Sequence, residues 1–103
     1  MTVYETIKQA ITTLKPISFT YKNSSVRIGN PYAIFIQSND STKVHIVQTG
    51  GYTSGGVLNI FKPFNLENLN NVKILADNPS FIPNHPNYKP ESPYYDKGII
   101  AKV

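Results

Sequence analysis

Val3, Ile7, Ala10, Ile11 and Leu14 recur at helical spacing, with polar residues between them. That pattern predicts a helix over 3–14 with one apolar face on the core. Thr2-Val3-Tyr4-Glu5 reads as a capping box, in which the threonine hydroxyl accepts from the Glu5 amide and the glutamate reaches back. Lys15-Pro16 ends the helix, because proline disfavours α geometry at the residue before it. Ile17, Phe19 and Tyr21 then alternate with Ser18 and Thr20, the signature of a half-buried strand. Lys22-Asn23-Ser24-Ser25 is a turn, 26–28 a short second strand, and Gly29-Asn30-Pro31 a break or bulge. The apolar run 32–36 predicts a third, buried strand, and 43–49 a fourth.

The fourth strand runs into Gly50-Gly51-Tyr52-Thr53-Ser54-Gly55-Gly56, and a fifth strand is expected over 58–64. Pro63 lacks an amide proton, which places that strand at an edge or at a bulge. Residues 65–71 read as a polar connection with one helical turn, and 72–75 as a short closing strand. A helix followed by about six short strands implies a mainly β domain built as a small, strongly bent sheet or partly open barrel. Five of the eight prolines fall within 78–96, beside Tyr88, Tyr94 and Tyr95. Such chain is extended. It is either a flexible tail or, given the interleaved Phe81, Ile82 and tyrosines, an arm packed on the barrel, and the arm is the expected form. The apolar end 99–103 is expected to dock as a strand or short helix. Residues 1–77 are therefore read as the barrel and 78–103 as an arm of the same single domain.

Composition narrows the function classes. At 103 residues, with 40% hydrophobic and 16% charged positions, the chain fits one globular domain. It has no cysteine, which excludes disulfides and thiolate metal sites and fits a reducing cytoplasm. The first residues carry no basic segment or long apolar stretch, so no signal peptide is expected, and no apolar run approaches the roughly 20 residues of a membrane span. The net charge of +4 favours anionic partners. Nine of the ten basic residues are lysines of the kind that make a soluble surface, which sets the single arginine, Arg27, apart. Its planar fork suits a bidentate carboxylate or phosphate, or equally a structural ion pair.

The glycine loop offers two readings. The amides of Gly50 to Gly56, Gly51 among them, and the hydroxyls of Thr49, Thr53 and Ser54 could form an anion-binding nest around a phosphate, or the glycines could simply satisfy a turn. It is not a P-loop, since no Gly-Lys-Ser/Thr follows. His45, beside Gln48 and Tyr52 and within reach of Lys62, is either a ligand-contacting histidine or an ordinary strand residue. Tyr21, Tyr32 and Tyr52 could stack nucleobases while Arg27 or Lys62 neutralises phosphate, or they could pack the rim of the barrel. His45 and His85 are far apart with no clustered carboxylates, so no metal site or cofactor is expected. No nucleophile elbow, zinc-protease helix or carboxylate pair appears, so no enzyme is expected either.

The order of these features resembles the WYL domain family, specifically short bacterial proteins that contain little besides that domain. The resemblance rests on Ile7-Lys8-Gln9-Ala10-Ile11, Lys15-Pro16-Ile17-Ser18-Phe19-Thr20-Tyr21, Arg27, Pro31-Tyr32-Ala33, Gln48-Thr49-Gly50-Gly51-Tyr52, Phe61-Lys62-Pro63-Phe64 and the closing Ile99-Ile100-Ala101-Lys102-Val103. It implies an SH3-like or Sm-like β-barrel that senses a ligand or binds nucleic acid. In the family it is often fused to a helix-turn-helix in regulators of defence systems, and none is expected ahead of the domain here. The chain differs from the family pattern where His45-Ile46-Val47 stands in place of the Trp-Tyr-Leu triplet, and where an arginine-rich motif is reduced to Lys62. The expected function is a non-catalytic sensor for a nucleotide or short nucleic acid. Its contacts are Arg27, Tyr32, His45, Gln48, Gly50, Gly51, Tyr52, Thr53, Ser54 and Lys62. The alternative is a protein-interaction or homo-oligomerisation module using the edge strand and the arm, and general single-strand binding, with its steep salt dependence, is a third possibility.

Overall fold

The computed structural model describes residues 2–37, 40–53, 56–95 and 97–103. Helix α1 spans Val3–Thr13. The capping box is formed: Glu5 N–H donates to Thr2 Oγ1 at 3.1 Å, and Thr2 N–H donates to Glu5 Oε1 at 3.1 Å. This pair satisfies two of the orphan donors of the first turn. Leu14 closes the helix in the left-handed region at φ 56, and its amide reaches back to Ala10 and Ile11.

Five strands, β1 (Ile17–Tyr21), β2 (Arg27–Ile36), β3 (Thr42–Gly51), β4 (Phe61–Asn65) and β5 (Leu69–Ile74), form one antiparallel sheet in the order β4-β3-β2-β1-β5. A sixth, β6 (Ile99–Lys102), pairs with β2. Strand β2 is long enough to serve three partners. Its first residues pair with β1, its last with β6 on the same side, and its other side runs along β3. The sheet is not closed into a barrel, which corrects the closed form of that expectation: β4 and β5 are its two ends, joined by a 3-10 turn at Leu66–Asn68.

Three element boundaries also differ from the sequence reading. The second and third strands are one strand, because the Gly29-Asn30-Pro31 break is absorbed by bulges. Against β3, Ile28 pairs with Gly50 but Gly29 with Gln48, leaving Thr49 extra; Pro31 then pairs with Ile46 but Ala33 with His45, leaving Tyr32 extra. A bulge accommodates the missing amide of Pro31, and Gly29 is needed because a Cβ there would stand 2.7 Å from Ile46 Cγ2. Strand β4 begins at Phe61 rather than 58, and β5 at Leu69 rather than 72. Pro63 does lie on an outer strand, opposite His45.

The face of the sheet under α1 carries the main core. Ile7, Ala10 and Ile11 pack on Ile17, Phe19, Ile34, Val44, Ile46, Phe64 and Leu69, all buried. A smaller cluster on the other side joins Ala33, Phe35 and Tyr95, with Ile99 against it. The proline-rich segment covers that second side. Phe81 N–H donates to the Leu14 carbonyl at 2.8 Å, and the Tyr32 ring meets Phe81 and Tyr88 at centroid distances of 5.5 and 5.1 Å. Val103 N–H donates to the Tyr32 carbonyl at 2.9 Å, so the chain end is held against β2.

Candidate functional site

The hairpin between β1 and β2 turns on Lys22 and Asn23, at φ 52 and 60, and Ser24 N–H donates to the Tyr21 carbonyl at 3.1 Å. Both central residues stand in the left-handed region, and the pairing of β1 with β2 begins beyond the turn, at Phe19 with Arg27. The turn places Lys22 and Ser24 next to Arg27, the first residue of β2. Strand β3 ends on the other side of Arg27, paired to it at Gly51, and Tyr52 N–H donates to the Val26 carbonyl at 3.0 Å. Strand β4 brings Lys62, Pro63 and Phe64 to the same place. The result is a cleft of 340 Å³ lined by Tyr21, Lys22, Ser24, Arg27, Tyr52, Lys62, Pro63 and Phe64.

Arg27 is the centre of this cleft and is only 9% exposed. Its guanidinium carbon lies 5.6 Å from the Tyr21 ring, 5.3 Å from Tyr52 and 5.9 Å from Phe64. Ring faces attract a cation at such distances. Its hydrogen bonds are long: Nη2 to Ser24 Oγ at 3.3 Å and Nη1 to Gln48 Oε1 at 3.5 Å. Nε is buried and makes no hydrogen bond. Among the described residues no carboxylate lies within ion-pair distance of it, and the one ion pair is Lys97 with Asp40, at 3.0 Å and remote from the cleft in sequence. A buried charge is ordinarily paired; this guanidinium, beside Lys22 and Lys62, has no carboxylate partner among the described residues, an arrangement that could hold an anion. The structural ion pair that was the alternative for Arg27 is not found among the described residues.

Gln48 joins the cleft to the glycine loop. Its Nε2 donates to the carbonyls of Gly50 at 3.1 Å and Tyr52 at 2.6 Å, while Oε1 faces Arg27. Gly51 stands at φ 81, where a Cβ would collide with the Val26 carbonyl oxygen and come within 2.7 Å of Arg27 Cα. The loop is therefore packed tightly onto the strand that carries Arg27. Thr53 Oγ1 is buried without a hydrogen-bond partner. Ser54 lies outside the described residues.

The structure does not bring every expected contact to this cleft. Arg27, Tyr52 and Lys62 line it, and Gln48, Gly50 and Gly51 stand behind it. Tyr32 and His45 line a different region. Tyr32 is buried under the proline-rich segment, and its hydroxyl accepts from His85 N–H at 3.3 Å. His45 lines a separate 270 Å³ cavity with Phe61, Pro63, Lys89 and Tyr95. There its Nδ1 lies 2.7 Å from the Tyr95 hydroxyl and its ring stacks on Phe35 at 4.4 Å. Burial pushes the His45 pKa down to about 4, so the imidazole is neutral near pH 7.

Sequence reasoning passed over Lys22, Ser24, Pro63 and Phe64. The turn at 22–25 was the available signal for the first two, because it brings Ser24 to within 3.3 Å of Arg27 Nη2. Among the described residues no group of three or more histidines and carboxylates is arranged to hold a metal, and no helix is long and apolar enough to cross a membrane. The chain matches no protein-family model, no curated protein and no solved structure.

Proposed function

We propose that this chain is a non-catalytic binding module, of WYL-like and hence SH3-like or Sm-like build, that captures a nucleotide or short oligonucleotide in the Arg27 cleft. The observation that carries the reading is the unpaired, nine-tenths-buried guanidinium with an unsatisfied Nε, set among three aromatic rings and two lysines. Phosphate contacts Arg27 and Lys62, and a base stacks on Tyr52, whose ring is 42% exposed at the mouth. One antiparallel sheet in the order β4-β3-β2-β1-β5, with a 3-10 turn between the outer strands, is compatible with an open form of that build. The test is a calorimetric titration with nucleoside monophosphates and short oligonucleotides, repeated on Arg27→Ala and Lys62→Ala. Loss of affinity in both is expected; an unchanged affinity in both overturns the mechanism.

A second reading is a protein-interaction or self-association module. It is favoured by the outer strand β4, which pairs only with β3, and by exposed Val57, Leu58 and Ile60 just before it. Light scattering after size-exclusion chromatography checks self-association: a strictly monomeric protein across a wide concentration range counts against it.

A further inference from the structure

We infer that the Arg27 cleft selects a terminal phosphate, a phosphomonoester with two negative charges, over a phosphodiester with one. This rests on the reading that the cleft takes a nucleotide, and it names the class of nucleotide.

The first argument is charge. Arg27, Lys22 and Lys62 come from the start of β2, the β1–β2 turn and β4, and all three line the cleft. Among the described residues no aspartate or glutamate lines it. Glu5 is occupied in the capping box and Asp40 with Lys97. Three cations without a counter-charge are matched far better by a dianion than by a monoanion. The phosphate of a monoester carries about −1.5 to −2 near pH 7, whereas an internal backbone phosphate carries one charge.

The second argument is geometry. A terminal phosphate presents three free oxygens and an internal one presents two. The three cationic groups stand on three separate elements, so each can meet its own oxygen. Arg27 is held from behind by long bonds to Ser24 and Gln48 that a charge-assisted bond to phosphate readily outcompetes. Its flanks are covered by the rings of Tyr21 and Phe64. The cleft volume of 340 Å³ lies at the low end of small-ligand sites (about 300–1,000 Å³) and holds one phosphate with its nucleoside, not a run of backbone.

The experiment compares adenosine 5′-monophosphate with adenosine 5′-(methyl phosphate), and uridine 5′-monophosphate with its methyl ester, by calorimetry at one salt concentration. Base and sugar are constant within each pair, and the methyl group removes one charge and caps one free oxygen. The monoester is expected to bind at least about tenfold more tightly, with a steeper loss of affinity as salt rises. Lys22→Met and Lys62→Met, both surface changes that leave the core intact, are each expected to narrow that ratio. Equal affinity for ester and monoester overturns the phosphate-end selectivity and leaves nucleotide binding standing. No binding of any of the four probes by a protein that melts cooperatively overturns the nucleotide reading itself, and this inference with it.

Discussion

Gln48 donates its side-chain amide to the backbone carbonyl of Tyr52 at 2.6 Å, and through that bond the only arginine of the chain and its most exposed cleft-lining tyrosine are held together. The same amide bonds Gly50, and the amide oxygen faces Arg27. Gln48 is itself buried, so its bonds are made away from water. The glycine loop thus has its conformation set by the residue that also touches the guanidinium.

Replacing Gln48 with methionine keeps the volume and removes both donors. A loss of about 1–2 kcal/mol in folding stability is expected, since two backbone carbonyls lose their partner. Nucleotide affinity should fall as Tyr52 loses its anchor. Gln48→Glu separates the two roles. It gives Arg27 a carboxylate partner and so offsets one of the three positive charges of the cleft, and it should weaken anion binding more than the methionine does. Urea denaturation and calorimetry on the same two variants check both statements.

Arg27→Met keeps the apolar stem and removes the charge. Because the guanidinium is buried without a carboxylate, its removal relieves a desolvation cost as well as losing the ring contacts. Folding stability is therefore expected to change by no more than about 1 kcal/mol, while nucleotide affinity drops at least about tenfold. A variant that unfolds readily yet still binds would make Arg27 a strut for the three rings and not an anion receptor. Arg27→Lys is expected to bind weakly too, because an ammonium lacks the planar fork.

His45 gives the fold a pH dependence. Its ring lies between Phe35 and Phe61, each with a centroid 4.4 Å away, and it is 6% exposed. Burial lowers its pKa from 6.5 to about 4. Between those values the unfolded chain binds a proton that the folded chain does not, so stability rises with pH across that window and falls as the solution is acidified. Above 6.5 and below 4 the histidine contributes no slope. The size of the effect is at most about 3 kcal/mol. Comparing the wild type with His45→Gln by urea denaturation at pH 7 and pH 4.5 isolates it, because the carboxylates are common to both. The difference in stability between the two proteins should shrink on acidification; a constant difference would mean that His45 titrates normally.

Much of this molecule is written locally. The capping box, the helix face of Ile7, Ala10 and Ile11, and the strand at Ile17–Tyr21 depend on neighbours within a few residues, and their boundaries follow from side-chain period alone. The strand β2 was harder to read. Gly29 and Pro31 are breakers in isolation, but the pairing with β3 absorbs them as two bulges, and that is a property of the partner strand. The candidate site divides the same way. Arg27 and Lys62 were legible as chemistry, whereas Lys22 enters only through a turn and Phe64 only through the pairing of β4 with β3. His45 and Tyr32 carry functional side chains, yet the segment from Phe81 to Tyr95 buries both, and no local pattern at either residue announces a cover some 50 positions away.

The two adjacent glycines of the loop offer a sharp contrast. Gly51 lies at φ 81, and a methyl there meets the backbone of Val26 and Arg27. These atoms belong to a paired strand and cannot swing aside. Gly51→Ala combines left-handed strain of about 1–2 kcal/mol with that clash. The end of β3 should detach, Tyr52 should leave the cleft, and nucleotide affinity should be lost with it. Gly50 lacks both problems: a methyl would rest 3.8 Å from Ile28 Cβ, an ordinary contact. Gly50→Ala is expected to be neutral, or to stabilise by up to about 1 kcal/mol through the stiffer unfolded chain. Thermal melting and nucleotide titration of the two alanine variants side by side test the assignment. Similar behaviour in both would mean that the loop does not depend on its contact with the Arg27 strand, and that the cleft is shaped by the hairpin and β4 alone.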